Sequence, residues 1–343
     1  MGRATDPVAL LGAIEKAPYA FDFYETLRRL ECAHGDKPRW GQALRPADEP
    51  VRFGQEPSLS FAPTALAAFE AATETAPPRI SVYHFGLLGP NGPLPLHLTE
   101  YARDRLRNHG DPTFARFLDL LQHRFIVLLY RAWAQAQPHV NLDRPADDHY
   151  ATYLGALYGG GTPAMRGRDA VPDYARLHYA GILARQVRNA EGLTTILAGY
   201  FRVPAEVETF VGHWLELAPA ERTQLGGAGA TLGSRAVLGQ AVWDRQHKFR
   251  IVLGPLALDV YKSFLPGGSR LHELVDWVRT YLGFELDWDL KLKLRRDEVP
   301  LTRLGGGTRL GWTSWLGHRQ SAGEAADLCL DAETQLARVR GTA

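Results

Sequence analysis

Four of the chain's twelve histidines, His84, His97, His109 and His123, fall in one stretch. Imidazoles brought together in this way can ligate a metal ion and serve hydrolysis. The spacing does not support that chemistry, because it contains neither a His-Glu-x-x-His pair nor a cysteine-assisted zinc set. Asp119 and His123 stand one helical turn apart, which reads as a surface or network pair. The run Gly227-Ala228-Gly229-Ala230-Thr231-Leu232-Gly233-Ser234 has the glycine content of a phosphate loop but not its lysine, and reads as a linker. No Gly-x-Ser-x-Gly elbow is present. Cys32 lies near His34 in an apolar-periodic segment and is expected in a core. No catalytic, cofactor-binding or metal residue is therefore assigned, and no cofactor is expected. The competing reading is a divergent metal-dependent hydrolase that uses His84, His97 and His123, which metal analysis of the purified protein separates.

A different pair of features is more specific. Tyr83 to Leu96 forms a proline- and glycine-rich loop carrying Leu87, Leu88, Gly89, Pro90, Pro93, Leu94, Pro95 and Leu96. A second such element holds Gly254, Pro255 and Leu256, with Phe264, Leu265 and Pro266 close behind. Surface turns are normally polar, so stiff loops that carry Leu and Phe point to insertion into another protein. Prolines restrict the backbone before binding and lower the cost of ordering it. These fourteen residues are the expected partner-binding set.

These loops need elements to hold them. The chain has 343 residues, 45% of them hydrophobic, which is ample for a buried core. Net charge is +1, so neither nucleic acid nor an anionic membrane is an expected partner. Two cysteines exclude a disulfide framework and fit a reducing compartment. The longest apolar run, Phe125 to Tyr130, is too short to span a bilayer, and no signal segment is visible; a soluble cytoplasmic protein is expected.

Asp22 to Glu31 predicts a helix. Val51 to Phe53, Ser58 to Phe61 and Arg79 to Phe85 predict strands. Asp111 and Pro112 open a long helix whose Phe114, Phe117, Leu118, Leu121, Phe125, Leu128, Leu129 and Trp133 form a wide stripe expected in the core. Helices are expected near Asp148 to Tyr158, Tyr174 to Arg188 and Gly192 to Tyr200. Ala205 to Leu217 favours a strand, and Ala236 to Trp243 is expected to pair with Lys248 to Leu253. A helix over Arg270 to Tyr281 precedes the alternating run from Phe284 to Arg295, a strand wet on one face within an antiparallel sheet. The tail after Ser321 reads as helical or frayed. The expected fold is α+β: largely helical N-terminal and middle regions, a small antiparallel sheet in the C-terminal third, and protruding Gly/Pro loops. The expected regions are 1–145, 146–235, 236–320 and a tail over 321–343.

The fragments Phe85-Gly86-Leu87-Leu88-Gly89-Pro90, Gly92-Pro93-Leu94-Pro95, Phe117-Leu118-Asp119 and Arg131-Ala132-Trp133 resemble the TssG family, baseplate wedge subunits of bacterial type VI secretion systems. So do Val242-Trp243-Asp244-Arg245-Gln246, Lys248-Phe249-Arg250-Ile251, Gly254-Pro255-Leu256 and Phe264-Leu265-Pro266-Gly267-Gly268, and their order is kept across most of the chain. The resemblance implies a non-enzymatic scaffold. It would associate with two copies of TssF and one TssE, and bind TssK trimers that dock the baseplate on the inner-membrane complex for sheath assembly.

Overall fold

Helix signals in the first third act locally as the sequence predicts. In the computed structural model, which describes residues 6–45, 48–74, 76–227, 230–231, 233–234, 236–303, 305, 307–315, 317 and 323–341, the Asp22 side chain accepts from the Glu25 N–H and caps the helix Phe23–Ala33. The described chain divides into two compact units, Met1–Ala151 and Thr152–Ala343.

In the first unit, helices α1 (Pro7–Lys16) and α2 (Phe23–Ala33) pack with a three-stranded sheet. Its strands are β1 (Arg52–Gln55), β2 (Leu66–Glu70) and β3 (Arg79–Val82), in the order β1-β3-β2, with β1 parallel and β2 antiparallel to β3. Ile80 and Val82, one face of the predicted third strand, are fully buried. Ser58 to Phe61 forms no strand; β2 comes from Leu66–Glu70 instead, whose alanines hide the alternation that marks a strand. Helix α3 (Leu96–His109) ends on Gly110 in the left-handed conformation. The long helix α4 (Thr113–Gln135) follows, then α5 (Pro138–Leu142); the next helix, α6 (His149–Ala156), begins in this unit and ends in the second. Phe23, Leu27, Phe53, Ile80, Ile126 and Tyr130 make the core of this unit.

In the second unit, short helices α7 (Asp173–His178) and α8 (Ala180–Leu183) replace the single predicted helix, and α9 (Ala190–Phe201) is capped by Asn189. The predicted strand over Ala205 to Leu217 is two strands, β4 (Ala205–Glu208) and β5 (His213–Glu216), broken at Phe210, whose φ is 57°. Next come β6 (Ala241–Asp244), β7 (Lys248–Leu256), α10 (Leu258–Ser263), α11 (Ser269–Leu282), β8 (Asp287–Leu294), β9 (Ala325–Leu330) and α12 (Ala332–Gly341). The tail is thus a strand followed by a helix.

The expected hairpin between β6 and β7 does not form. β6 pairs with β5 in a separate two-stranded ribbon, while β7 enters a four-stranded sheet of order β4-β7-β8-β9. That C-terminal sheet is mixed, with β7 parallel to β8 and the other pairs antiparallel. The parallel pair follows from the α10–α11 crossover, since parallel strands need a helical return. Trp288, Leu290, Leu292 and Leu294 face the core as the alternation predicts. The other face of β8 is not uniformly wet. Asp289 is buried, and Arg250 donates to its carboxylate through Nε at 2.5 Å and Nη2 at 3.0 Å, with Lys248 Nζ at 3.2 Å.

Candidate interaction site

The first proline-glycine loop is held from beneath by buried amide side chains. The Leu88 N–H donates to Gln55 Oε1 at 2.8 Å, and Gln55 Nε2 donates back to the Leu88 carbonyl at 2.7 Å. The Leu87 N–H donates to Gln122 Oε1 at 3.1 Å, and the Gly89 N–H to Thr99 Oγ1 at 3.0 Å. Asp119 supports the platform, accepting from the Gln55 N–H at 3.0 Å and from the Gln122 amide, and pairing with Arg79. Loop backbone bonds close the turn, Gly92 N–H to the Gly89 carbonyl and Leu94 N–H to the Leu87 carbonyl. Buried polar groups must be satisfied, so a network with this many shared bonds fixes one loop conformation.

This arrangement changes the role of several expected residues. Leu88 is 2% exposed and packs with Ala102 and Leu118, and Gly89 is buried as well. Leu87 and Leu94 are half-buried against the same cluster. Pro90, Pro93, Pro95 and Leu96 face outward. The second element is corrected more fully. Gly254, Pro255 and Leu256 belong to strand β7, not to a loop, and Leu256 pairs with Leu294. A Cβ at Gly254 would lie 2.3 Å from the Lys293 carbonyl oxygen, so the glycine serves close strand approach. Leu256, Phe264, Leu265 and Pro266 are buried, the first three in the core of the second unit. The side chains of Leu256, Phe264 and Leu265 fill that core.

The long helix corrects the expectation in the opposite direction. Its buried face carries Ala115, Leu118, Asp119, Gln122, Ile126, Val127 and Tyr130. Phe117, Leu121, Phe125 and Leu128, expected in the core, are 57%, 53%, 57% and 36% exposed. They recur at three- and four-residue spacing and so form one outward stripe, beside Leu120 at 77%. Gln55, Thr99 and Gln122 were not visible as functional in the sequence. The available signal was Asp119 and Gln122 falling on the same wheel face as Leu118 and Ile126, which made that face the one needing buried partners.

The histidines do not converge. The Phe53 N–H donates to His123 Nδ1 at 3.0 Å, which leaves Nε2 protonated to donate to Glu49 Oε2 at 2.6 Å. Burial pushes the Glu49 carboxyl up, but the hydrogen bond from His123 and the positive charges of Arg52 and Arg124 outweigh it and hold it below its ordinary value. His84 is edge-on to Phe23, and His109 lies 3.4 Å from Asp104. Among the described residues, no group of three or more His, Cys, Asp or Glu side chains could hold a metal ion. Cys32 is exposed, not in a core. Residues 228, 229 and 232 of the glycine-rich linker lie outside the described residues. No described helix is long and apolar enough to cross a membrane.

A second outward surface lies on the β5–β6 ribbon, where Trp214 and Trp243 sit opposite one another, mostly exposed, with ring centroids 5.4 Å apart and edge to face. A Cβ at Gly212 would lie 2.3 Å from the Trp243 ring, so that glycine makes room for the indole.

A pinned loop, an outward apolar helix face and an exposed indole pair are the surfaces of a subunit that works inside an assembly. The chain matches the family model for the type VI secretion protein TssG over residues 17–317, and it belongs to that family. It is similar to a solved chain described as part of the baseplate complex from the type VI secretion system, at 27% identity and TM-score 0.65, over 95% of this chain and 93% of that one. A chain of a type VI secretion TssK-TssF-TssG baseplate subcomplex, solved by cryo-electron microscopy, is 26% identical with TM-score 0.50, over 60% of this chain and 88% of that one. No curated protein sequence matches.

Proposed function

We propose that this chain is a structural subunit of the type VI secretion baseplate wedge, bridging TssF and TssE to TssK trimers and working in the cytoplasm without catalysis. Family membership and similarity to chains of baseplate complexes, one of which contains TssK and TssF, support the reading. The observation that carries it is the apolar stripe of α4. Phe117, Leu120, Leu121, Phe125 and Leu128 stand outward on one stable helix, a surface that isolated proteins seldom leave open. Each such side chain gains about 1.5–3 kcal/mol gross on burial, which a neighbouring subunit can supply. The stripe is assigned to the seam with TssF. The outward residues of the first loop, Pro90, Pro93, Pro95 and Leu96, are assigned to TssK.

Co-expression with TssF and TssK from the same gene cluster tests this. The wild-type chain should elute with both. The double variant Phe117→Ser/Leu121→Ser should lose TssF while keeping its helical circular dichroism and retaining TssK. Leu96→Ser with Pro93→Ser should show the reverse pattern. Undiminished recovery of TssF by the folded helix variant would overturn the assignment of the stripe.

A further inference from the structure

Beside the pinned loop lies a cleft of about 360 Å³, lined by Glu56, Phe61, Ala62, Tyr83, Leu87 and Phe125 among others. Its two rims differ. Phe125 belongs to the outward stripe of α4, so the cleft continues that surface, and Phe61 faces it from the segment after β1, 77% exposed. The wall is rigid, because the loop forming it is the one fixed by Gln55, Gln122 and Thr99. Ligand sites that keep their shape when empty lose little entropy on filling.

One group in the cleft has no role in the fold as described. Glu56 follows β1, and its backbone N–H donates to the Val82 carbonyl at 3.0 Å. Its carboxylate has no hydrogen bond or ion pair with any other described residue, although it is half-buried. Its neighbours Gln55 and Asp119 are fully engaged with each other and with Gln122 and Arg79. Burial raises the Glu56 pKa and the charge of Glu70 adds to it, while the charges of Arg107 and Arg116 work against both without a hydrogen bond or ion pair to the carboxylate. A half-buried acid with no cation bonded to it gains when a basic group arrives to pair with it.

We propose that the cleft receives a segment of a partner subunit that presents a lysine or arginine beside an apolar residue. The basic head would pair with Glu56, and its stem and apolar neighbour would pack between Phe61 and Phe125. Long basic side chains suit this, since their methylene stems cover apolar surface while the head remains polar. The loop then acts as a receptor wall, not as an inserted key. This rests on the reading of the chain as a baseplate subunit, and adds which chemistry its partner must bring.

The test uses the full chain co-expressed with TssF and TssK, with affinity read by titration of purified subunits at two salt concentrations. Glu56→Gln should weaken binding of one of the two partners about tenfold and flatten its salt dependence. Ala62→Trp, an exposed position that fills the cleft, should weaken the same partner to a similar degree, with the thermal transition unchanged. If the wild type binds neither subunit, both the baseplate reading and this site fail. If it binds and both folded variants bind equally well, only the cleft proposal is overturned. A concentration-dependent dimer of the wild type that Glu56→Gln dissolves would also overturn it, by giving the cleft to a second copy.

Discussion

At Gly86 the backbone takes φ 152°, and a Cβ there would lie 2.3 Å from Gln55 Oε1 and 2.7 Å from Gln122 Oε1. Both oxygens are already accepting from the loop, so neither can retreat without releasing an N–H. Gly86→Ala should therefore cost about 1–3 kcal/mol, through strain and broken loop bonds together. Urea denaturation would show this, and a variant as stable as the wild type would mean the platform is softer than its geometry. Gln122→Ala should lose a similar amount by leaving the Leu87 N–H buried and unpaired. The prolines and glycines of this loop were legible as a rigid turn. Its buried leucine was not, because Leu88 and Leu96 are the same residue type and only the platform beneath decides which faces inward.

The apolar periodicity of α4 predicted a helix of the right extent, but a helix with apolar residues on two faces does not say which face its own fold covers. The polar pair Asp119 and Gln122 settles it, since Asp119 meets Gln55 and Arg79 of the adjoining sheet and Gln122 meets Asp119 and the Leu87 N–H. On β8 the alternation predicted the buried leucines and missed the opposite face, where Asp289 is sealed under Arg250 and Lys248. Burial there pushes the Asp289 carboxyl up, but the Arg250 and Lys248 bonds and charges outweigh it, so its folded-state value lies below the ordinary one. Its stabilisation is thus fully present above about pH 4 and is lost as pH falls through that lowered value. Asp289→Asn should cost about 1–3 kcal/mol at neutral pH, discounted for the partly exposed Arg250. Melting curves should show the gap to wild type closing on acidification, and a gap independent of pH would contradict the pairing.

For the chain as a whole, the central fact is that among the described residues each unit has a large hydrophobic core of its own, one around Phe53, Ile80 and Ile126, the other around Trp277, Leu290 and Leu292. Composition foretold enough apolar mass for both. Two cores predict two calorimetric transitions. Ile80→Ala should lower one and Leu290→Ala the other, each by about 2–5 kcal/mol of local stability. One transition displaced equally by both variants would show that the units melt together. The ribbon of the second unit offers a way to watch such events. Trp214 and Trp243 hold their indoles edge to face at 5.4 Å, close enough for their electronic transitions to mix. The split circular dichroism band that such mixing produces would be a native optical label, present while the two strands stay zipped and absent once either ring is replaced by leucine.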